Sequence, residues 1–387
     1  MKHSPLPQTD RTTDRISLFL PSLRCGGVER VMLNLAGTFA GRCFDADLVV
    51  AEAAGPYRVQ VPPQVRVIDL AAGRVLASLP GLVRYLRQNR PAALLSAMEH
   101  ANLVALWARR IAGVPTRVVV SIHTTVSQGS TKGRPLRGRL ATASAGLFYK
   151  MADGVVAVSD GVADDFARVT GLRRACIRTI YNPVVTPALS ALAEAPLSHP
   201  WFMAGQPPVI LGVGRLTAAK DFPTLIHAFA RVRSVRPARL VILGDGEQRS
   251  ELGAWVHRVG LAADVSLPGY VDNPFAYMHR CSAFVLSSAW EGLPTALIEA
   301  MACGAPIVST DCASGPSEIL AGGRYGRLVP VSDVDAMAAA IVTILNEKPD
   351  TAASRRRAEA FSTDSSATQY LELLLGDRAA DLRKCAA

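Results

Sequence analysis

Two glutamates with seven residues between them, Glu291 and Glu299, are the side chains whose types and spacing point most clearly to chemistry. The apolar run at 283–286 before Glu291 has the length and composition of a buried strand. Pro294 is placed at the first turn of a following helix, where its missing N–H costs nothing, and Gly304 ends that helix. The pattern predicts that Glu291 lies in a strand-to-helix turn and Glu299 about two turns along the helix.

In an open parallel sheet, ligands bind outside the carboxyl ends of the strands. At this edge the sequence places one carboxylate, a helix N-terminus that can hold an anion, and a second carboxylate deeper in the helix. Carboxylates accept hydrogen bonds from hydroxyl groups. The edge therefore suits a ligand with anionic and hydroxyl groups, and the alternative is that both glutamates are solvated helix charges.

Two cations form the second candidate group. The strand predicted at 208–213 is followed by Gly214 and Arg215, Lys220 comes five residues after Arg215, and Asp221 is placed to cap the next helix. This arrangement suits a pyrophosphate, because arginine offers a planar fork and lysine a point charge. The alternative is a solvated helix start.

Strands and helical patterns alternate along the chain, which predicts βαβ units and parallel sheets. The strand predicted at 15–20 leads into a loop with Gly26 and Gly27, followed by a helix. Glycines let backbone N–H groups approach a ligand closely, and the helix adds its dipole. An ordinary tight turn is the alternative.

A histidine is expected at the same kind of edge. His123 directly follows the strand predicted at 116–122, so it points to the crevice outside the sheet. A structural histidine is the alternative. Ser96, His100 and Asn102 occupy the equivalent edge one strand earlier and are candidates for an acceptor pocket.

Composition narrows the class of protein. A chain of 387 residues with 49% hydrophobic residues predicts two or three domains with sizeable cores. No apolar run approaches the roughly 20 residues needed to span a bilayer, and residues 1–14 lack the apolar core of a signal peptide. Seven cysteines without regular spacing favour reduced thiols and a cytoplasmic location.

Positive charge is concentrated in the first half. Residues 1–186 carry 24 Lys and Arg against 12 Asp and Glu, a net of +12, whereas residues 187–387 carry 18 against 20. Between Glu99 and Asp153 there is no acidic residue but there are eight basic ones. Such a field attracts anions. The loop at 127–140 and a candidate helix at 141–151 combine basic and apolar residues, which favours contact with an anionic membrane; a mobile loop with a core helix is the alternative.

The block at 281–320 resembles the donor-binding half of the retaining glycosyltransferases of family 4, of the kind that builds bacterial cell-surface glycans. The family is marked by the spaced glutamate pair followed by a Gly-Pro-x-Glu turn, here Gly315, Pro316 and Glu318. The resemblance includes the segments VILGVGRLTAAKDFPTLIHAF, LVILGDGEQRSEL and LPGYVDNPFAYM. It covers roughly residues 15–375, densely in the second half and more loosely in the first.

The resemblance implies an α/β protein with the GT-B fold, in which two Rossmann-like βαβ domains face each other across a cleft. The implied organisation is a disordered lead (1–14), an acceptor-side domain (15–186), a linker (187–207), a nucleotide-sugar-binding domain (208–360), a helix that returns to the first domain (361–376) and a tail (377–387).

The resemblance also implies roles for individual residues. Glu291 would bind hydroxyls of the transferred sugar and stabilise positive charge there, while Glu299 would accept hydrogen bonds from the ribose. Arg215 and Lys220 would bind the diphosphate, and His123 the donor sugar. The remaining implied substrate-binding residues are Gly26, Gly27, Gly214, Gly269, Tyr270, Val271, Gly292, Leu293, Pro294 and Thr295.

No metal ion and no cofactor are expected, because fixed cations can neutralise the leaving diphosphate. Two Asp-x-Asp pairs exist, at 45–47 and 333–335, and are predicted at a strand start and a helix start away from the site.

The function implied is transfer of a hexose from a nucleotide-sugar, a UDP-sugar, to a saccharide or lipid-linked acceptor with retention, at the cytosolic face of the membrane. One alternative is another GT-B enzyme, such as a UDP-sugar epimerase or a glycogen- or sucrose-type synthase, and another is a non-catalytic sugar-nucleotide-binding protein. A dehydrogenase is disfavoured, since Arg249 stands where the third glycine of a dinucleotide fingerprint would be. The basic half shows no zinc spacing and no aromatic-rich RNA-binding pattern, which disfavours a nucleic-acid binder.

Overall fold

The structure is a computed structural model that describes residues 15–24, 26–127, 148–347 and 350–376. Within them, thirteen strands form two sheets. The first contains β1 (Arg15–Ser22), β2 (Asp45–Glu52), β3 (Arg66–Asp69), β4 (Ala93–Ala97), β5 (Arg117–Ile122), β6 (Gly154–Ala157) and β7 (Ile177–Thr179). The second contains β8 (Val209–Val213), β9 (Arg239–Leu243), β10 (Val265–Gly269), β11 (Ala283–Leu286), β12 (Ile307–Thr310) and β13 (Arg327–Val329).

The described α-helices connect or follow these strands. Those of the first half are α1 (Gly27–Gly41), α2 (Leu79–Asn89), α3 (Glu99–Ala112) and α4 (Asp160–Thr170). Those of the second half are α5 (Leu189–Glu194), α6 (Phe222–Val235), α7 (Arg249–Arg258), α8 (Phe275–Arg280), α9 (Thr295–Cys303), α10 (Pro316–Ile319), α11 (Val334–Asn346), α12 (Thr351–Ala358) and α13 (Thr363–Leu375).

Both sheets have the strand order of a doubly wound fold. The first runs β3-β2-β1-β4-β5-β6-β7 and the second β10-β9-β8-β11-β12-β13, and the pairs within them are parallel. In such sheets the order reverses between the first strand and the fourth, and the crevice outside their carboxyl ends is where ligands bind. In the second sheet that reversal lies between β8 and β11. It therefore places the residues after β8 beside those after β11.

The strands at this reversal are buried on both faces, as helices on both sides of a parallel sheet require. Every residue of β11 and β12 is buried. A hydrophobic core around Phe222, Phe229 and Met337 packs α6 and α11 against the sheet. Burial of large apolar side chains is worth about 1.5–3 kcal/mol each, so the strand ends that carry the polar residues rest on a well-packed support.

The chain divides into two compact units. Among the described residues, the first unit consists of 15–121, 150–154 and 370–376, and the second of the remainder. The second unit holds the entire second sheet together with β6 and α4. The predicted domain limits at residues 186, 207 and 360 remain a prediction.

Several sequence expectations about local structure are confirmed. The strand at 283–286 is β11, and Gly304 ends α9 in the left-handed conformation with φ of 78°. Asp221 caps α6, since its side chain accepts a hydrogen bond from the backbone N–H of Thr224. Asp333 caps α11 in the same way. These signals were readable because each depends on the backbone chemistry of a few adjacent residues.

Other expectations about local structure are wrong in detail. Pro294 is the N-cap of α9 with an extended backbone rather than part of its first turn. Glu299 is consequently the fifth residue of that helix, little more than one turn from its start, rather than two turns along it. The segment 187–207 contains a short helix that the sequence did not predict, α5, which burial of Leu189 and Ala193 stabilises; its role as a linker stays a prediction.

The lead at 1–14, the tail at 377–387 and nearly all of the basic segment at 127–151 lie outside the described residues. Among the helices that the structure describes, none is both long enough and apolar enough to cross a membrane.

Candidate functional site

An ion pair links the two groups of residues singled out by the sequence. The ammonium Nζ of Lys220 donates a hydrogen bond of 2.5 Å to Oε1 of Glu291. The two side chains are 21% and 12% exposed. The hydroxyl of Ser288 donates to the same carboxylate oxygen at 2.7 Å. The carboxylate is therefore fixed in position by one cation and one hydroxyl group.

The backbone around this pair is held by bonds between the two strand ends. The hydroxyl of Ser287 donates to the carbonyl oxygen of Lys220 at 2.7 Å, and the N–H of Ala289 donates to the carbonyl oxygen of Ala219 at 2.8 Å. The hydroxyl of Thr310, at the end of β12, donates to the carbonyl oxygen of Ser288 at 2.6 Å. The ion pair thus rests on neighbouring strand ends rather than on free loops.

An ion pair in this partly buried position is weak evidence for stability, because desolvation of the two charges offsets much of their attraction. The groups that the pair leaves free to bind a ligand are more informative. An ammonium group has three donors, and among the described residues the Nζ of Lys220 bonds only to Glu291. The cation can therefore bind an anionic ligand while Glu291 continues to orient it.

Gly292 makes a very close approach that no other residue could make. A Cβ at this position would overlap the carbonyl oxygen of His123. The carbonyl oxygen of Gly292 lies 2.9 Å from the hydroxyl of Ser159 and 2.7 Å from that of Ser314, and the two hydroxyls are 2.8 Å apart. All three oxygens are in buried residues. The segment after Glu291 is thereby joined to the segments after β5, β6 and β12.

Glu318 strengthens the same junction. Its carboxylate accepts hydrogen bonds from the backbone N–H groups of Asp160 at 2.8 Å and Gly161 at 2.9 Å, at the N-terminus of α4. Those N–H groups have no partner within the helix, and a negative charge at a helix N-terminus is stabilising. The guanidinium of Arg357 donates to the carbonyl oxygen of Glu318 at 2.8 Å. The Gly-Pro-x-Glu turn therefore fixes where α4 begins.

His123 is neutral in this environment. Burial lowers the pKa of its imidazole from 6.5 to about 4. Its Nε2 is shielded from solvent and has no hydrogen-bond partner in the part of the chain that the structure describes. An unpaired buried polar atom is costly, on the order of 1–3 kcal/mol. The Nε2 atom of His123 is therefore available to bind a ligand at the carboxyl end of β5.

The other predicted residues are placed separately. Arg215 is 74% exposed, with its Nε 4.0 Å from the Glu247 carboxylate, so it does not join the Lys220–Glu291 pair. Glu299 is half-buried on α9. Gly269 has a φ of 91°, and Tyr270 beside it is 57% exposed.

The backbone of four predicted residues lies around the ion pair. Gly214 packs its Cα against the Lys220 side chain, and Leu293, Pro294 and Thr295 lead from the Glu291 turn into α9. Val271 is half-buried two residues after β10. These positions agree with a site at the strand ends, and the binding roles themselves remain predictions.

The residues predicted in the first unit are described separately. Gly26 is the N-cap of α1, and a side chain there would overlap the carboxylate of Glu29. Gly27 is the first residue of the helix. Ser96 and Asn102 are fully buried, and Asn102 donates to the carbonyl oxygen of Ser121 at 3.1 Å. The expectation that these two side chains line an acceptor pocket stays a prediction.

Sequence reasoning missed several residues of the site. Ser159 and Ser314 carry no motif signal, because their meeting at Gly292 depends on strand order. Arg249, noted in the sequence only as a departure from the dinucleotide fingerprint, donates to the carbonyl oxygen of Leu267 at 2.8 Å and lies against Gly269. Trp290, directly before Glu291, was available as a signal, since an aromatic residue beside a candidate acid is a common feature of sugar sites.

A metal site is not seen among the described residues, which contain no group of three or more potential ligands. Asp47 of the first Asp-x-Asp pair instead accepts hydrogen bonds from Arg66 and from the Tyr85 hydroxyl at 2.5 Å. Asp333 of the second pair caps α11. Asp47 and Asp333 therefore have structural roles.

The low pKa of His123 predicts a pH dependence of stability. In the unfolded protein the imidazole has a pKa near 6.5, whereas in the folded protein its pKa is about 4. Between these two pH values the unfolded protein therefore binds a proton that the folded protein does not. Its contribution to stability is therefore complete above pH 6.5 and is lost as the pH falls toward 4. Replacing it, His123→Gln, should flatten the fall of the melting temperature over this range. Thermal melts from pH 7.5 to 4.5 measure it, with the exposed His257→Gln as the control. An unchanged slope in His123→Gln would contradict the assignment.

Comparison with known proteins identifies the family of the chain. The family model "Glycosyltransferase Family 4" matches residues 25–186 and the model "Glycosyl transferases group 1" matches residues 198–361. The chain is 28% identical, over 94% of its length and 100% of the relative, to an N-acetylgalactosaminyltransferase of Campylobacter jejuni that is named for a diphospho-undecaprenol-linked substrate. It is 27% identical, over 90% of its length and 96% of the relative, to the lipopolysaccharide core biosynthesis glycosyltransferase LpsE of Rhizobium meliloti.

Solved structures support the fold. Anabaena HepE in complex with UDP and glucose is similar with a TM-score of 0.77 and 20% identity, over 93% of this chain and 99% of that one. Sucrose-phosphate synthase from Thermosynechococcus elongatus is similar with a TM-score of 0.75 and 21% identity, over 95% and 100%. The predicted GT-B fold is confirmed. Because the two family models together match most of the sequence, the chain belongs to the glycosyltransferases of group 1 and family 4.

Proposed function

We propose that this glycosyltransferase transfers a hexose from a UDP-sugar to a lipid-linked saccharide, with retention and without a metal ion or another cofactor. The observation that carries the proposal is the hydrogen-bonded pair of Lys220 and Glu291 at the reversal of the second sheet. In this proposal the ammonium group binds phosphate and the carboxylate beside it binds sugar hydroxyls. The HepE structures, which contain UDP, support the choice of nucleotide.

The donor is held through its charges. Lys220 and the N-terminus of α9 bind the diphosphate, and the exposed guanidinium of Arg215 adds a second cation. Glu299 accepts hydrogen bonds from the ribose hydroxyls. The backbone of Gly269, Tyr270 and Val271 binds the base. These fixed cations take the place of a metal ion.

The reaction exchanges one bond for another at the anomeric carbon. The bond from that carbon to the β-phosphate oxygen breaks, and the leaving UDP keeps the electron pair. The acceptor hydroxyl oxygen bonds to the same face of the carbon, and its proton passes to the departing phosphate oxygen. Charge grows on the phosphate in the transition state, where Lys220 stabilises it most.

Two side chains orient the transferred sugar. Glu291 accepts hydrogen bonds from its hydroxyls and stabilises the positive charge that develops on the ring. The neutral imidazole of His123 offers its unpaired Nε2 to a further hydroxyl. Neither residue forms a covalent bond to the sugar in this mechanism.

A lipid-linked acceptor is supported by the relatives and by charge. The Campylobacter jejuni relative is named for a diphospho-undecaprenol saccharide, and others are named for lipopolysaccharide biosynthesis. On α2 and α3 the chain exposes basic and apolar side chains together: Arg84, Arg87, Arg90, Trp107, Arg110 and Ile111. Such a surface fits an anionic membrane, and it supports the proposal that the enzyme works on the inner face of the bilayer.

The donor and the reaction type are tested by UDP release. Each of several UDP-sugars is offered with and without lipid-linked acceptors. We expect acceptor-dependent release with one sugar, and a loss of kcat of about 10²-fold or more in Glu291→Ala and in Lys220→Ala, by analogy with removal of a charge-stabilising donor. Glu347→Ala removes a surface ion pair with Arg327 and is the matched control. Isomerisation of the sugar without acceptor would instead show an epimerase, and binding without turnover a binding protein.

Membrane contact is tested by sedimentation with vesicles. The protein should sediment with phosphatidylglycerol vesicles but much less with phosphatidylcholine vesicles, and added salt should weaken binding because the attraction is between charges. The double variant Trp107→Ala, Arg110→Glu should lower the bound fraction several-fold. Equal binding to neutral and anionic vesicles, or full activity on a water-soluble saccharide alone, would refute the membrane assignment.

A further inference from the structure

A cavity of about 360 Å³ lies beside Glu291. The donor-binding roles proposed above do not account for it. Its walls come from Thr125 and Ser127 after β5, from α4, and from the residues that follow β11 and β12. The side chains that give it chemical character are Asp164, Asp165, Arg168, Trp290, Glu291 and Ser314. A volume near the lower end of the range for small-molecule sites, about 300–1,000 Å³, suits a single small ligand.

The walls of this cavity are held in place. Asp165 is only 6% exposed, and its carboxylate accepts hydrogen bonds from the backbone N–H of Ser127 at 3.0 Å and from Arg168 at 2.5 Å. The opposite wall is fixed where Ser159 and Ser314 meet the carbonyl oxygen of Gly292. A site whose walls are already in position loses less entropy on binding.

The charges in the cavity select against an anion. Three carboxylates and one guanidinium line it, and that guanidinium is paired with Asp165. A phosphate would be repelled, whereas hydroxyl groups can donate to carboxylates, which only accept. Asp164 is 69% exposed and is paired with Arg174 through one oxygen, so its carboxylate can also accept from a ligand.

Trp290 supplies the complementary apolar surface. It is half-buried and lines the cavity, and in the described residues its indole N–H donates to no protein group. An indole ring presents a large rigid face with a polar N–H at its edge. A pyranose ring offers the matching combination, with C–H groups on its faces and hydroxyls around its rim.

The position of the cavity shows which sugar it would hold. Glu291 belongs both to this cavity and to the pair with Lys220, so a ring bound here lies directly beside the donor sugar. We propose that the cavity is the subsite for the terminal, uncharged pyranose of the acceptor, bound between Trp290 and the carboxylates of α4. This inference rests on the proposed transferase function and specifies its acceptor: the transferred sugar is joined to another neutral sugar and not to a phosphate group.

The binding test does not require turnover. Saturation-transfer NMR is recorded with methyl glycosides of glucose, galactose and N-acetylgalactosamine, each in the presence of saturating UDP. We expect at least one glycoside to give a signal with the wild type that is lost in Trp290→Ala and kept in Trp290→Phe. UDP affinity, measured by calorimetry, should stay within about twofold in both variants, because the proposed nucleotide contacts are assigned to other residues. Trp255→Ala, a half-buried indole on α7, controls for loss of a tryptophan.

A kinetic split provides the second readout. With an acceptor that supports UDP release, Trp290→Ala and Asp164→Asn should raise the acceptor KM about tenfold and leave the KM for the UDP-sugar within twofold, since uniform binding to one substrate is removed. The subsite is refuted if glycosides bind Trp290→Ala as well as the wild type, if UDP affinity falls in parallel, or if glycerol phosphate displaces the glycosides. If no UDP-sugar is turned over but the NMR result holds, the proposed reaction fails while the sugar subsite stands.

Discussion

The ion pair between Lys220 and Glu291 is the interaction on which the rest of the site depends. It joins the segment after β8 to the segment after β11, the two strands between which the strand order reverses. Elsewhere such a pair would contribute little to stability, since desolvation offsets attraction. In the proposed mechanism it sets the distance between a cation for the phosphate and a carboxylate for the sugar hydroxyls, so the order of the strands would determine the geometry of glycosyl transfer.

A second constraint keeps the carboxylate turn in register with the segments opposite it. Gly292 is pressed against the carbonyl oxygen of His123, its own carbonyl oxygen faces two serine hydroxyls, and Glu318 holds the start of α4. These contacts are between backbone groups and short side chains, so they tolerate almost no change in distance. They give one rigid frame for the imidazole, the carboxylate and the cavity beside Trp290, which explains how donor and acceptor sugars would be held in contact.

Much of this could be predicted from the sequence, and the limits have a clear physical origin. The acids, the cations and the doubly wound class were readable because strands, caps and the spaced glutamates are local signals. The bond from Lys220 to Glu291, and the meeting of Ser159 with Ser314, depend on which strands are neighbours, and residue spacing does not specify that. The start of α9 was misplaced because Pro294 suits both a cap and a first turn. The helix at 189–194 was missed because its stability comes from burial against α8, not from its own short sequence.

The central claim is tested most directly by a double-mutant cycle of Lys220→Met and Glu291→Gln, measured as kcat/KM for acceptor-dependent UDP release. If the pair acts as one unit, the double variant should lose little more activity than the worse single variant. The coupling energy should then be at least about 1.4 kcal/mol, or tenfold. The two residues act independently if the fold-losses of the single variants multiply to give that of the double variant to within about twofold. That result would contradict the role assigned to the pair.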